Sequence, residues 1–299
     1  MIALFLKGLA MGAANVIPGV SGGTIALITG IYQKLIFAIK AFDLQAARLL
    51  MAGRTREFWT HVDGSFLLPL ALGVGAGIIA LAHIIKAVLE SQPVLTMAFF
   101  FGLILLSVWF VGRTVRQWSA SSLLFLVLGT ALAAGIALMA PASENNSMLY
   151  LFLCGVVAIC SMVLPGLSGS FVLIIMGNYA LVIGAIGQFD LAVLVPMALG
   201  CVVGLVAFSN LLTVVYQRFH DQTVATMTGF VLGSLAVIWP WKHTLTMLIE
   251  REGKPAKEAV IGYEWFLPAL NDPQTLLAIG LMLVGCLTIW LTERLGARP

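Results

Sequence analysis

The sequence carries little charge, because Lys, Arg, Asp and Glu together make up 10% of its 299 residues. Hydrophobic residues make up 61%, and the mean hydropathy is +1.04. A soluble domain of this length needs far more charge on its surface. The net charge of +3 is also too small and too dispersed to predict nucleic-acid binding. We therefore expect an integral membrane protein, in which a small basic surplus reports the topology of the loops.

Residue types that hold metals or carry out catalysis are also few. Four cysteines fall in apolar segments without CxxC or Cys/His spacing, and we interpret them as small core residues: Cys154, Cys160, Cys201 and Cys286. Four histidines lie on separate segments: His61, His83, His220 and His243. A membrane lipid phosphatase, the enzyme alternative, normally needs clustered His, Arg, Asp or metal ligands. We expect no enzyme, no catalytic residue, no metal and no cofactor.

Six apolar stretches are each close to the roughly 20 residues that a membrane-spanning helix requires. They cover about 66–89, 94–112, 122–140, 192–216, 223–241 and 275–293. Two further apolar segments, about 2–33 and 148–184, are interrupted in the middle by Pro-Gly. These interruptions carry most of the functional argument.

The interruptions are two copies of one motif. Pro18-Gly19-Val20-Ser21-Gly22-Gly23, with Gly30 and Tyr32, returns 147 residues later as Pro165-Gly166-Leu167-Ser168-Gly169-Ser170, with Gly177 and Tyr179. The likeness continues at a spacing of 127 residues, where Gly102 corresponds to Gly229. We predict an all-α membrane protein with two repeats, each a broken segment plus three spanning helices. The repeats cover 1–145, with an extra 34–64 segment, and 148–299, with a 242–274 loop.

Topology depends on whether a broken segment crosses the membrane or turns back as a re-entrant hairpin. A re-entrant segment leaves three crossings in each repeat, so the second repeat is inverted relative to the first. The Lys and Arg residues divide 11 inside against 5 outside on either arrangement, so the charge bias does not choose. We favour the re-entrant, inverted arrangement, because backbone freed by Pro-Gly must line a protein-enclosed or wet cavity. Both termini and the 34–64 segment are then cytoplasmic, and the 242–274 loop is extracytoplasmic.

Each motif has the chemistry of an anion site. Proline ends the helical hydrogen-bond ladder, and glycine permits a tight bend. A helix that restarts beyond the break presents backbone N–H groups and the positive end of its dipole, which bind phosphate or carboxylate without a lysine. Close helix packing through small residues is the alternative interpretation. Two matched interruptions favour a transporter's binding site.

The chain closely resembles the bacterial and archaeal family of polyprenyl-phosphate translocases. The likeness covers essentially the whole chain and is sharpest at Lys7-Gly8, Met11-Gly12, Ala14 to Thr24, Gly30-Ile31-Tyr32, Leu164 to Ser170 and Gly177-Asn178-Tyr179. The resemblance implies transport of undecaprenyl phosphate from the outer to the inner leaflet of the bacterial cytoplasmic membrane. That lipid has one anionic headgroup that must cross, and a tail that can stay in the bilayer.

We expect the two motifs to hold the phosphate jointly. The substrate-binding candidates are Asn15, Pro18, Gly19, Ser21, Gly22, Gly23, Thr24, Pro165, Gly166, Ser168, Gly169 and Ser170. Further candidates for headgroup contact or proton relay are Lys7, Tyr32, His83 and Tyr179. The expected partners are polyprenyl phosphate and membrane lipids. The alternative within transport is a small-anion cargo, with coupling to H+ or Na+. The sequence assigns neither the oligomeric state nor the accepted chain length.

Overall fold

The computed structural model describes residues 1–16, 21–139, 141–251, 254–269 and 271–296. The helices of its first part are α1 Ile2–Val16, α2 Gly22–Ile28, α3 Tyr32–Lys40, α4 Leu44–Met51, α5 Thr55–His61, α6 Gly64–Ser91, α7 Pro93–Gly112 and α8 Ala120–Leu138. The later elements are α9 Met148–Val163, α10 Gly169–Ile175, α11 Tyr179–Gln188, α12 Leu191–Arg218, α13 His220–Ile238, β1 Lys242–Arg251, β2 Lys254–Trp265 and α14 Pro273–Gly296.

All six apolar stretches are helices, namely α6, α7, α8, α12, α13 and α14. Among the described residues, five helices are individually long and apolar enough to cross a membrane: α7, α8, α12, α13 and α14. Three bent pairs also qualify when each pair is taken as one span: α2 with α3, α5 with α6, and α10 with α11. The helical prediction is confirmed for every stretch that the composition singled out.

Glycines let the first helix of each predicted repeat pack closely on a long helix. A Cβ atom built on Gly8 of α1 would lie 2.2 Å from the carbonyl oxygen of Leu70 on α6. The same construction on Gly155 of α9 places the atom 2.1 Å from the carbonyl oxygen of Met197 on α12. These contacts recur at the spacings of the sequence motifs. Small residues that allow such close approach are typical of helix packing in membranes.

The third long helix of each predicted repeat packs against the other repeat. α7 packs on α14, and α8 packs on α13. Gly102 of α7 faces the backbone of Met282, and Gly229 of α13 faces the backbone of Leu126 on α8, so added side chains would overlap main-chain atoms. The last helix of residues 1–145 therefore packs against a helix of 148–299, and the last helix of 148–299 packs against a helix of 1–145.

The core of the molecule lies around α13. This helix is buried over most of its length, unlike the other four helices that qualify individually as spans. Met227, Val231 and Ile238 on α13 belong to one apolar cluster with Ile25 of α2 and Tyr32 of α3. Of these five helices α13 is the least hydrophobic, and polar residues of spanning helices usually face the interior of a bundle. α2 lies beside α13 in the same cluster.

The 34–64 segment forms short helices, and the 242–274 loop contains strands. Residues 34–64 form most of α3, then α4 and α5, with an ion pair of 3.0 Å between Lys34 and Asp63. β1 and β2 pair antiparallel, so the all-α expectation is wrong for this hairpin. The indole N–H of Trp265 donates to the carbonyl oxygen of Ala236 at 2.9 Å, which ties the hairpin to α13.

Candidate functional site

The first broken segment is an antiparallel helical hairpin. At its closed end, the backbone N–H of Gly22 donates to Oδ1 of Asn15 at 2.7 Å. At its open end, Nζ of Lys7 donates to the carbonyl oxygen of Thr29 at 2.8 Å. The partners are 7 residues apart at the closed end and 22 apart at the open end, so α2 runs back along α1.

The second broken segment has the same form. A Cβ atom on Gly169 of α10 would lie 2.6 Å from the carbonyl oxygen of Ala158 on α9. Oη of Tyr150, near the start of α9, donates to the carbonyl oxygen of Met176 at 2.9 Å. Pro165 is buried in the turn just after α9, where its ring prevents the helix from continuing. α10 therefore runs back along α9.

Each hairpin then turns sharply at a glycine. Gly30 has φ +71° and Gly177 has φ +75°, in the left-handed region that glycine adopts without strain. The axes on either side of these turns differ by 119° between α2 and α3 and by 117° between α10 and α11. Tyr32 and Tyr179 begin the helices beyond the turns.

The two motifs contact each other. The backbone N–H of Gly166 donates to Oγ1 of Thr24 at 2.9 Å. Oγ of Ser21 lies 3.4 Å from the carbonyl oxygens of both Met162 and Leu164, within reach of either. The Ser21 and Thr24 side chains are buried. The structure thus brings Ser21, Thr24 and Gly166, three predicted binding residues, into one cluster.

Tyr32 adds a further contact between the hairpins. Its Oη donates to the carbonyl oxygen of Val163 at 3.0 Å, and its side chain is 2% exposed. Tyr179, at the corresponding position of the second motif, is 37% exposed. The two halves of the site are therefore in different environments in this conformation.

The starts of α2 and α10 also differ. Oγ of Ser21 accepts from the backbone N–H of Gly23 at 3.1 Å, so Ser21 and Asn15 together cap α2. Ser168 makes no such cap on α10, and its hydroxyl instead lies 2.9 Å from that of Ser170. The N–H groups of Gly22 and Gly23 at the start of α2 therefore bond side chains of the protein. At the start of α10, the hydroxyls of Ser168 and Ser170 lie against each other instead.

A small hollow adjoins this hydroxyl pair. Its lining includes Ser168 and Phe171 from the second motif region, Ile136 of α8 and Ser234 of α13. It has about 10 Å³ of room for a water-sized molecule. That is close to the minimum for one water molecule, so the hollow as it stands is too small for an anion the size of phosphate.

Some predicted residues lie outside what the structure describes. Pro18 and Gly19 fall in the undescribed 17–20 segment, and the side chain of His83 on α6 is likewise undescribed. Lys7 is described, and its ammonium group binds the end of α2. No group of three His, Cys, Asp or Glu side chains within the described ranges is placed to hold a metal ion.

The sequence reasoning missed two polar residues near the second hairpin. Tyr150 has no counterpart in the first motif, where Ala3 occupies the matching position, so the repeat gave no signal for it. Asn178 is fully buried, and its amide exchanges hydrogen bonds of 2.8 and 3.0 Å with the backbone of Asn145. The Gly-Asn-Tyr sequence after the second motif was the available signal for Asn178.

These features define a multi-pass membrane protein with two contacting helical hairpins in its interior. The chain belongs to the undecaprenyl phosphate translocase-like family, whose model matches residues 11–256. It is similar to the polyprenyl-phosphate transporter of Vibrio cholerae serotype O1, with 40% identity over 285 residues, 94% of this chain and 92% of that protein. The polyprenyl-phosphate transporter of Staphylococcus aureus is 29% identical over 253 residues, 79% of this chain and 85% of that protein. No solved structure gives a significant match.

Proposed function

We propose that this protein moves undecaprenyl phosphate, or a related polyprenyl phosphate, from the outer to the inner leaflet of the bacterial cytoplasmic membrane. The observation that carries the proposal is the hydrogen bond between Thr24 and Gly166, which joins the two motifs inside the protein. The names of both relatives support the substrate. The protein acts as a transporter rather than as an enzyme.

In the proposed arrangement, residues 1–145 and 148–299 are inverted repeats, and the two hairpins are re-entrant. The antiparallel course of α1 with α2, and of α9 with α10, supports a chain that enters the bilayer and turns back. Both termini lie in the cytoplasm, and the 242–274 region lies outside. Irregular backbone at the turns is then enclosed by protein, as the low-dielectric interior of a bilayer requires.

The phosphate binds where the motifs now bind each other. The structure has Ser21 and Thr24 hydrogen-bonded to backbone groups of the second motif region, whose own hydroxyls are those of Ser168 and Ser170. When the hairpins separate, the Ser21 hydroxyl and the Gly166 N–H become available as donors. An anion in a low-dielectric site needs such partners, because an unpartnered charge there is prohibitive.

Asn15 positions this site through the backbone. Its Oδ1 holds the N–H of Gly22 and so fixes the direction in which α2 starts. Gly23 lies against the second motif region, where a Cβ atom would be 3.0 Å from the carbonyl oxygen of Val163. A side chain at position 23 would therefore hold the motifs apart, and we include Gly23 in the site for this reason. Gly22 is included because its N–H is the group that Asn15 holds.

The double variant Ser21→Ala, Ser168→Ala tests the cradle. We expect protein-dependent loss of outer-leaflet undecaprenyl phosphate from reconstituted liposomes to slow by about tenfold or more, because hydrogen bonds to charged groups are each worth roughly 1.5–3 kcal/mol. The matched control is Ser107→Ala, Ser209→Ala, since both serines are buried and bond carbonyl groups of their own helices.

Two outcomes separate the alternatives, and a repeat of the assay addresses ion coupling. Equal rates for wild type and the Ser21, Ser168 variant contradict the cradle. No lipid movement by wild type, together with uptake of inorganic phosphate into the same liposomes, indicates the small-anion transporter. Repeating the assay with imposed H+ and Na+ gradients shows which ion, if either, drives the movement.

A further inference from the structure

An apolar groove opens between α8, α12 and α13. It has a volume of about 470 Å³, within the range of roughly 300–1,000 Å³ that is common for small-ligand sites. Its walls include Phe125 of α8, Phe208, Leu211 and Val215 of α12, and Met227 and Phe230 of α13. We call this feature the α12–α13 groove.

One end of the α12–α13 groove lies on the second motif region. Leu164, which directly precedes Pro165, is one of its lining residues. The carbonyl oxygen of Leu164 is one of the two that Ser21 reaches. Phe230 packs in one cluster with Leu167 of the motif, and the backbone of Phe230 is so close to Gly166 that a Cβ atom there would lie 2.4 Å away. The groove therefore ends at the residues that meet the first hairpin.

The other end lies near the junction of α12 and α13. Phe219 and Gln222 line it there, and α13 rises about 12 Å from Gln222 to Phe230 at 1.5 Å per residue. The hydroxyl groups of Thr223 and Thr226 donate to Phe219 and Gln222 of the preceding turn. Because these hydroxyls are already bonded, the two threonines do not require a polar occupant.

A second apolar hollow lacks this connection. It lies between α9 and α12, has a volume of about 690 Å³, and is lined by residues such as Phe152, Val195 and Leu199. None of its described lining residues belongs to either motif. Apolar hollows of this kind are expected wherever helices face lipid, so size and hydrophobicity alone do not mark a substrate site.

We propose that the α12–α13 groove holds the isoprene units next to the phosphate of the transported lipid. The inference rests on the proposed function and adds the part of the protein that recognises the chain. The headgroup end of the chain lies at Leu164, beside the motifs, and the chain follows α13 toward the α12–α13 junction. The remainder of the chain leaves the groove for the bilayer.

The test places a bulky side chain in the groove. Leu211 is 58% exposed and Leu199 is 56% exposed on the same helix, so Leu211→Trp and Leu199→Trp are matched in burial and differ in which hollow they fill. We expect Leu211→Trp to slow undecaprenyl phosphate movement in liposomes by about tenfold, the effect of losing burial of two methylene groups, and Leu199→Trp to leave it unchanged. Thermal unfolding in detergent should be the same for both variants.

A photo-crosslinking amino acid at the same two positions gives a second readout. We expect p-benzoylphenylalanine in place of Leu211 to capture radiolabelled undecaprenyl phosphate, and excess unlabelled undecaprenyl phosphate, but not phosphatidylglycerol, to reduce capture. Position 199 should capture little, with no such preference. Equal capture at both positions, or equal competition by both lipids, would show that ordinary membrane lipid fills the groove.

The outcomes distinguish this inference from the function on which it rests. If the wild-type protein moves undecaprenyl phosphate and the Leu211→Trp and Leu199→Trp variants move it at equal rates, the proposed role of the groove is wrong and the proposed function stands. Wild-type protein that moves none overturns the proposed function and the groove together.

Discussion

Lys7 and Tyr150 bind carbonyl groups at the same place in the two hairpins. Their acceptors are Thr29 and Met176, which stand 147 residues apart, the spacing of the motifs. The donors are not at matching positions, because Cys154 corresponds to Lys7 and Ala3 corresponds to Tyr150. The two helices of each hairpin are therefore joined at the open end by a different side chain, which is charged in the first hairpin and neutral in the second.

Thr24→Val tests the contact between the motifs. Valine keeps the shape of threonine but leaves the N–H of Gly166 without its acceptor, at a cost of roughly 1–3 kcal/mol. We expect a lower thermal unfolding temperature in detergent. Thr228→Val is the control, because that buried hydroxyl bonds Val224 within its own helix. An equal loss of stability in the two variants would mean that the contact contributes nothing of its own.

The turns after α2 and α10 differ in how much room they leave. A Cβ atom on Gly30 meets nothing within 4 Å, whereas one on Gly177 lies 2.2 Å from the carbonyl oxygen of Ala142. We expect Gly30→Ala to cost about 1–2 kcal/mol for the left-handed backbone alone, and Gly177→Ala to cost clearly more. Unfolding of the two variants in detergent measures the difference, and a larger loss for Gly30→Ala would contradict this account.

The start of α4 provides a pH-dependent element outside the spanning helices. A hydrogen bond from the backbone N–H of Ala46, followed by the ring of His61, lowers the pKa of Asp43 below its usual 3.8. The folded chain therefore favours the ionised carboxylate. Its stabilisation is complete above pH 3.8 and is lost as the pH falls through the lower pKa of the folded state.

Asp43→Ala should remove the cap of α4 at a cost of about 1 kcal/mol at neutral pH. Amide hydrogen exchange of α4 measures this effect without requiring global unfolding. Asp43→Asn is the control, because asparagine also caps helices but does not titrate. We expect the protection of α4 in this control variant to be independent of acid pH, while wild-type protection falls. A wild type whose α4 protection does not change below pH 3.8 would contradict the assigned pKa direction.

Apolar length and the motifs predicted much of the helical architecture. The stretch at 94–112 matches α7 closely, and the reversal at Pro165-Gly166 follows from the ring of proline and the positive φ of +83° at Gly166. The sequence also predicted that the two motifs act together, and in the structure they are in contact. It did not predict that Thr24 accepts from Gly166, because that pairing depends on how the hairpins pack.

The partners of the long helices could not be predicted either. α7, α8, α13 and α14 are all apolar, and lipid-facing and protein-facing surfaces differ little in hydrophobicity. The glycines at Gly102 and Gly229 indicated close packing without indicating against which helix. The strands within 242–265 were missed because their mixture of acids and bases suggested a loop.

The packing of α14 on α7 also determines when the first part of the chain can finish assembling. Sγ of Cys286 on α14 contacts the carbonyl oxygen of Gly102 on α7, across 184 residues of sequence. At a synthesis rate of roughly 5–20 residues per second, about 10–40 s pass between the synthesis of Gly102 and that of Cys286. During that interval the face of α7 around Gly102 lies against lipid or other protein. Assembly of the first-made half is therefore completed only when the last helix of the chain has been synthesised.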